Sequence, residues 1–332
     1  MKVLLTGHTG FKGSWLTLML KAKGHEVFGI SLNPEVDSLF NQASISRFLS
    51  KDTRIDIRDK EELRREVESV DPDVVIHLAA QSLVNDSYTN PIFTFETNII
   101  GTLNILESTR RLNNLRSTLI ITTDKVYKNK GQLQGYTELD ELGGNDPYSA
   151  SKAAADLLTQ SWRKSFGKSP ISIARGGNVI GGGDWSRDRI VPDIMRSIQS
   201  GSELLLRYPH SIRPWQHVLD CLNGYLKLVE HQISDGIQGE WNFGPASGES
   251  LDVSSLVEKF CQDLDARVSI STSDDIKGEA ILLRLNSSAS RQELDWSEKL
   301  NLDETVKWTA DWYRNMHTRN FTISQVERFF AL

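Results

Sequence analysis

Lys2-Val3-Leu4-Leu5-Thr6-Gly7-His8-Thr9-Gly10-Phe11-Lys12-Gly13 stands near the head of a 332-residue chain, and this stretch decides the fold. Lys2–Thr6 reads as a short buried strand, and Phe11–Lys23 as the helix that follows it. Between them, Gly7, Gly10 and Gly13 permit a tight turn, and backbone N–H groups at the helix start can meet a pyrophosphate. Thr9, Phe11 and Lys12 share the loop. Because the glycines follow a strand and open a helix, they predict a dinucleotide site rather than a bare turn.

Outward from this loop the same alternation continues. Glu26–Ser31 is expected as a strand, Lys60–Val70 as a helix and Val74–Leu78 as a strand. A helix from about Pro91 to Leu112, strand Thr118–Thr122, helix Tyr148–Phe166 and strand Ile171–Arg175 complete the series. Apolar strands alternating with helices indicate a parallel sheet covered on both faces. Right-handed crossovers then give an α/β, doubly wound parallel Rossmann sheet that binds ligands at the carboxyl ends of its strands. The order breaks after Gly176, where 176–190 is rich in Gly, Asn, Asp and Arg, as suits a loop facing a ligand. Helices are expected at about Val191–Ser200, Val218–His231, Ser250–Asp263 and Leu302–Tyr313. The predicted division puts residues 1–176 with about 215–240 in the sheet domain, and 177–214 with 241–332 in a smaller α+β lobe.

The composition narrows the function. Apolar residues make up 39% and charged residues 25%, an ordinary globular balance. A net charge of −6 argues against nucleic acid, whose binding relies on clustered Lys and Arg. No apolar run approaches the ~20 residues that span a bilayer, and the chain enters a strand directly after Met1-Lys2, so a cytoplasmic enzyme is expected, with no membrane partner. Cys221 and Cys261 fit no metal-ligand spacing and are expected as reduced thiols; no metal is predicted.

Further cofactor contacts follow from the fold. The residue that holds the adenosine ribose belongs at the end of the second strand, where Asn33 stands. An amide can bond a 2′-hydroxyl without repelling a 2′-phosphate, so these residues leave NAD and NADP both open. Asp56 and Ile57 are expected to close the third strand beside the adenine, although Asp56 also suits a helix cap, a role Asp59 fits better. Leu78, Ala79 and Ala80 end the fourth strand, where small side chains let a cofactor approach or simply pack closely. Thr97, on the following helix, is a further candidate.

Tyr148 and Lys152 are spaced i, i+4 at a helix start and share one face. A phenol is a poor base near neutral pH, and a neighbouring ammonium is expected to lower its pKa so that it can take the proton of an alcohol. Thr123, Asp124 and Lys125 end the fifth strand in the same crevice. Dehydrogenation needs only Thr123, Tyr148 and Lys152, so an additional acid and base imply a second chemical step. Gln81, Ser82, Asn178, Arg189 and Arg213 are the candidate substrate contacts, the two arginines offering planar forks for phosphate oxygens. His217, Trp185 and Trp215 are expected as packing or pocket walls.

The whole chain resembles the extended short-chain dehydrogenase/reductases of the NAD-dependent epimerase/dehydratase family, and more narrowly the CDP-glucose 4,6-dehydratases. Carrying the narrower likeness are Gly7–Trp15 (GHTGFKGSW), Thr122–Tyr127 (TTDKVY), Asp146–Lys152 (DPYSASK), Gly177–Trp185 (GNVIGGGDW), Ser211–Val218 (SIRPWQHV) and Trp241–Pro245 (WNFGP). The resemblance implies NAD, a nucleotide-sugar substrate and a homodimer formed partly by the Tyr148 helix. A lysine at position 125 is the mark it gives for the CDP-glucose branch, whose relatives carry an acid there. Asn33 departs from the family's usual Asp. The implied chemistry is oxidation at C4, loss of water across C5 and C6, and hydride return to C6. Lys125 would be the C5 base or an enolate stabiliser, and Asp124 the acid for the 6-hydroxyl. A 4-epimerase would not need Asp124 and Lys125; a non-catalytic dinucleotide sensor implies a broken catalytic set, whereas Thr123, Tyr148 and Lys152 are all present.

Overall fold

The computed structural model describes residues 1–132, 134–246, 251–272, 283–318 and 320–332. Its centre is a seven-stranded parallel sheet in the order Glu240–Phe243, β6, β5, β4, β1, β2, β3. Here β1 is Lys2–Thr6, β2 Glu26–Ser31, β3 Lys51–Arg54, β4 Val74–His77, β5 Ser117–Thr123 and β6 Ile171–Gly176. β1, β4, β5 and β6 are dominated by apolar and hydroxyl-bearing residues because helices cover both faces, with Lys2, His77 and Arg175 as the exceptions. One apolar layer gathers Val3, Leu5, Trp15, Ile76 and Leu222; the other gathers Leu4, Leu63, Val75, Ile105 and Ile120. Alternate residues of β1 and β4 therefore serve opposite layers, as the strand period requires.

Sequence and structure agree closely here. The helices Phe11–Ala22, Lys60–Val70 and Pro147–Phe166 lie where expected. Asp59 caps the second of these by accepting from Glu62 N, and Asp146 caps the third by accepting from Ser149 N, with Pro147 in its first turn.

Three differences matter. The single helix expected from Pro91 to Leu112 is interrupted: Pro91–Phe95 is α-helical, Glu96–Ile100 forms a π-helical turn, and Gly101–Thr109 resumes the α-helix. The wider turn buries Thr97 on the cleft wall and Asn98 against Gln81 and Ser151, and such turns are common beside functional sites. Second, Trp241–Phe243, expected in the smaller lobe, continues from Glu240 as a strand that pairs in parallel with β6, so Glu240–Phe243 is the edge strand of the main sheet. Its apolar run is too short to reveal its partner. Third, helices at Val84–Thr89, Ser288–Glu293 and Phe321–Ala331 were not expected. Helices Ile190–Ser200, Val218–Asp235, Val253–Leu264 and Leu302–Asn315 match the expectations to within a few residues, although Ser250 lies outside the described residues. Cys221 and Cys261 are both free thiols. Among the described residues, no helix is long and apolar enough to cross a membrane.

Candidate active site

The carboxyl ends of the sheet strands open into one cleft of about 1180 Å³, as a doubly wound sheet dictates. The loop after β1 forms its floor. Gly7 has φ +77°, and a Cβ there would lie 2.7 Å from the backbone nitrogen of Ala79. A Cβ on Gly13 would lie 2.2 Å from the Gly7 carbonyl oxygen. The first glycine thus allows the turn and the third lets the helix seat against the loop, while Gly10, Phe11 and Lys12 face the cleft. Thr9 is tied down by its hydroxyl, 2.6 Å from Ser31 Oγ and 3.3 Å from the Leu32 carbonyl.

Ile57, Leu78, Ala79, Ala80 and Thr97 all line this cleft. Thr97 Oγ1 is buried with no hydrogen-bond partner among the described residues, as fits a hydroxyl awaiting a ligand. Glycines that admit a backbone approach, a helix start and an orphaned hydroxyl make this end of the cleft fit a dinucleotide.

Two cofactor expectations need correction. Asn33 is exposed and does not line the cleft; Ser31 and Leu32 stand there instead. β2 ends at Ser31, so the strand-end rule points to Ser31, two residues earlier than the position chosen. Asp56 is likewise absent from the wall, because its carboxylate is forked onto Arg58 at 2.6–3.1 Å, and β3 ends earlier, at Arg54.

At the other end stand Thr123, Asp124, Lys125, Tyr148 and Lys152, all on the cleft wall. Thr123 meets Asp124 directly, its hydroxyl donating to Asp124 Oδ1 at 2.8 Å. Its influence on the Tyr148 phenol favours the phenolate. Asn178, whose φ is +49°, donates to Asp124 Oδ2 at 3.2 Å. Gly177 is needed beside it, because a Cβ there would lie 2.4 Å from the same oxygen. The half-buried Lys125 side chain has no hydrogen bond or ion pair among the described residues.

The electrostatics differ from expectation. Burial pushes the Tyr148 phenol up to about 12, with the Thr123 hydrogen bond and Arg189 opposing it. The Lys152 ammonium is directed elsewhere, donating to the Ile121 carbonyl at 2.8 Å. Burial lowers Lys152 itself to about 8. The phenol is therefore neutral in this state, because desolvation disfavours the phenolate.

Of the substrate candidates, Arg213 is buried on the cleft wall, and Arg189 reaches Asp184 at 2.9 Å and Ser82 Oγ at 3.5 Å. Gln81 lines the cleft, but its side chain is engaged: Nε2 donates to the Leu83 carbonyl and Thr94, while Oε1 accepts from Leu83 N at 2.6 Å. It holds a loop, clamped further by Asn98. Trp215 lines the cleft, and His217 is buried at a helix start, capping it through Leu219 N. Sequence reasoning missed Asp188, which pairs with Arg207 at 3.1 Å and accepts from Asn85 at 2.8 Å, bridging the two walls of the cleft. No motif spacing links these three.

Solved structures share this fold. The UDP-glucose 4-epimerase of Thermotoga maritima with UDP-glucose superposes with a TM-score of 0.85 at 22% identity, covering 95% of this chain and 99% of its own. A dTDP-glucose 4,6-dehydratase from Bacillus anthracis in complex with NAD gives 0.80 at 24%, covering 95% and 97%. By sequence, the CDP-glucose 4,6-dehydratase of Salmonella typhimurium is 39% identical over 329 residues, covering 94% of this chain and 91% of the relative. A probable dTDP-glucose 4,6-dehydratase of Sinorhizobium fredii is 29% identical, covering 94% and 93%. The match to the family described as GDP-mannose 4,6 dehydratase runs over residues 4–309, and with so much of the chain inside it, this protein belongs to that family of nucleotide-sugar dehydratases.

Proposed function

We propose that the chain is an NAD-dependent CDP-glucose 4,6-dehydratase, a cytoplasmic hydro-lyase making CDP-4-dehydro-6-deoxyglucose and water. The observation that carries this reading is the convergence of Thr123, Asp124, Lys125, Tyr148 and Lys152 on one cleft, with the Thr123 hydroxyl bonded to Asp124. It brings a group suited to alcohol oxidation beside a group suited to expelling water. The 39% identical relative named for CDP-glucose supports the nucleotide, and the NAD complex of a like-folded dehydratase supports the cofactor.

The glycine loop, Thr9, Ile57, Ala79 and Thr97 would hold the NAD. When bound, NAD supplies an acceptor for the C4 hydride and returns it to C6. Tyr148 takes the O4 proton as its phenolate, a form that Thr123 and the positive charge of Lys152 favour. The new ketone acidifies C5, from which Lys125 removes a proton. Asp124 protonates the 6-hydroxyl, which leaves as water, and C5 then regains a proton. Asn178 orients Asp124, and Arg189 and Arg213 receive the diphosphate.

An apolar strip supports the homodimer. Ile92, Phe95 and Ile100 lie exposed on helical turns that pack beside the Pro147–Phe166 helix, which exposes Leu157. A second copy placed about a two-fold axis would cover the strip with itself.

The test is incubation with CDP-, dTDP-, GDP- and UDP-glucose, with mass spectrometry of the products. Loss of one water from CDP-glucose is expected; an unchanged mass with inverted C4 would instead establish an epimerase. Lys125→Met should slow turnover by about 10²–10⁴-fold and abolish solvent exchange at C5. Normal exchange in that variant would remove Lys125 as the base.

A further inference from the structure

Beneath the acid–base loop lies a buried ion pair that the chemistry above does not use. Arg175 on β6 forks onto Asp156, with Nε to Oδ2 and Nη2 to Oδ1 both at 2.8 Å, and both side chains are fully buried. Asp156 stands one helical turn beyond Lys152 and two beyond Tyr148, so the three occupy one face of the Pro147–Phe166 helix. Each member of the pair reaches one end of the loop. Asp156 Oδ2 accepts from Thr122 Oγ1 at 3.2 Å. Arg175 Nη1 donates to Tyr127 OH at 2.8 Å, and that hydroxyl donates onward to Asn242 Oδ1 at 2.7 Å. Gln160 completes the carboxylate, donating to Oδ1 at 2.8 Å.

Thr122 and Tyr127 bracket Thr123, Asp124 and Lys125. We propose that the Asp156–Arg175 pair is a positioning device for the water-eliminating step, gripping the acid–base loop at both ends and fixing it against the helix that carries Tyr148 and Lys152. Buried, hydrogen-bonded pairs suit such a role, because their geometry is fixed while their net contribution to stability is small. Asp156 also faces Lys152, which is otherwise met by Lys12 and His77, and its charge favours the ammonium. The inference rests on the dehydratase reading.

Substituting either ion would leave a buried unpaired charge and risk unfolding. The informative variants are therefore Tyr127→Phe and Thr122→Val, which each remove one grip, with Thr122→Ser retaining the hydroxyl. The wild-type holoenzyme is first assayed on CDP-glucose; if it forms no 4-keto product, the dehydratase reading fails, whatever the variants do. Given an active wild type, exchange of the C5 proton of the product in deuterium oxide should slow by about 10²-fold in both variants, the size expected for a catalytic group displaced by roughly an ångström. KM should hold and Thr122→Ser should restore the rate. Amide exchange should rise within residues 122–127 and not in β6. Exchange at C5 close to the wild-type rate would overturn the proposal. So would a loss that merely follows a lowered melting temperature, with amide protection falling throughout the sheet.

Discussion

At the residue scale, the site is governed by burial. Tyr148 and Lys152 both sit in a desolvated crevice that favours their neutral forms, so the phenol is pushed up to about 12 and the ammonium down to about 8. The two shifts act differently on activity. If charged Lys152 supports the developing phenolate, its charge is present below about pH 8 and lost above it. The rate should therefore fall as pH rises through about 8. Lys152→Arg keeps a charge at all such pH values and should remove that limb from the kcat/KM profile, while lowering the plateau. A limb that stayed in place would assign it to another group. The helical spacing of Tyr148 and Lys152 was legible in the sequence. That the ammonium would turn to the Ile121 carbonyl was not, because the acceptor lies on β5, a separate element from the helix that carries Lys152.

At the scale of elements, the Val218–Asp235 helix anchors the C-terminal segment through Asp220. That fully buried carboxylate accepts from Lys299 N at 2.7 Å and Leu300 N at 3.3 Å, and burial pushes it up to about 7. With its folded pKa raised above the ordinary 3.8, the group binds a proton more readily in the native state. Its contribution to stability is full below pH 3.8 and disappears as pH rises through 7. Asp220→Asn should abolish this dependence. The stability advantage of the wild type over the variant should be about 2 kcal/mol larger at pH 5 than at pH 7, measured by urea unfolding at each pH. An advantage that does not change with pH would refute the assignment. The π-helical turn at Glu96–Ile100 is another feature of this scale. It escaped notice because the apolar pattern of Pro91–Leu112 continues through it, whereas the wider turn is set by packing of Thr97 and Asn98 toward the cleft loops.

For the whole molecule, the exposed apolar strip matters because it faces outward from neighbouring helical elements. Ile92 is 74% exposed and Leu157 54%, on neighbouring helical elements. With a second copy as occupant, the double variant Ile92→Glu, Leu157→Glu should shift sedimentation from dimer to monomer while the fold, followed by circular dichroism, persists. A wild-type protein that sediments as a monomer at micromolar concentration would end the dimer proposal. The bridge from Asn85 through Asp188 to Arg207 also belongs to this scale, since it joins segments about a hundred residues apart.

The chain's local patterns, by themselves, determined most of the sheet. Continuous apolar strands, capped helices and three glycines at a first turn are consequences of neighbouring residues, and Asp59 and Asp146 cap where their positions imply. The same locality made Thr123, Asp124, Lys125, Tyr148 and Lys152 visible as one candidate site. Only the tertiary structure decided which strand Glu240–Phe243 would join, since a four-residue apolar run carries no record of its partner. It also placed Ser31 rather than Asn33 on the cleft wall and engaged Gln81 and Asp56 elsewhere. It raised the Tyr148 phenol where the sequence suggested the opposite. Hydrogen-bond partners and desolvation depend on residues distant in the chain, and that is the physical reason spacing alone could not supply them.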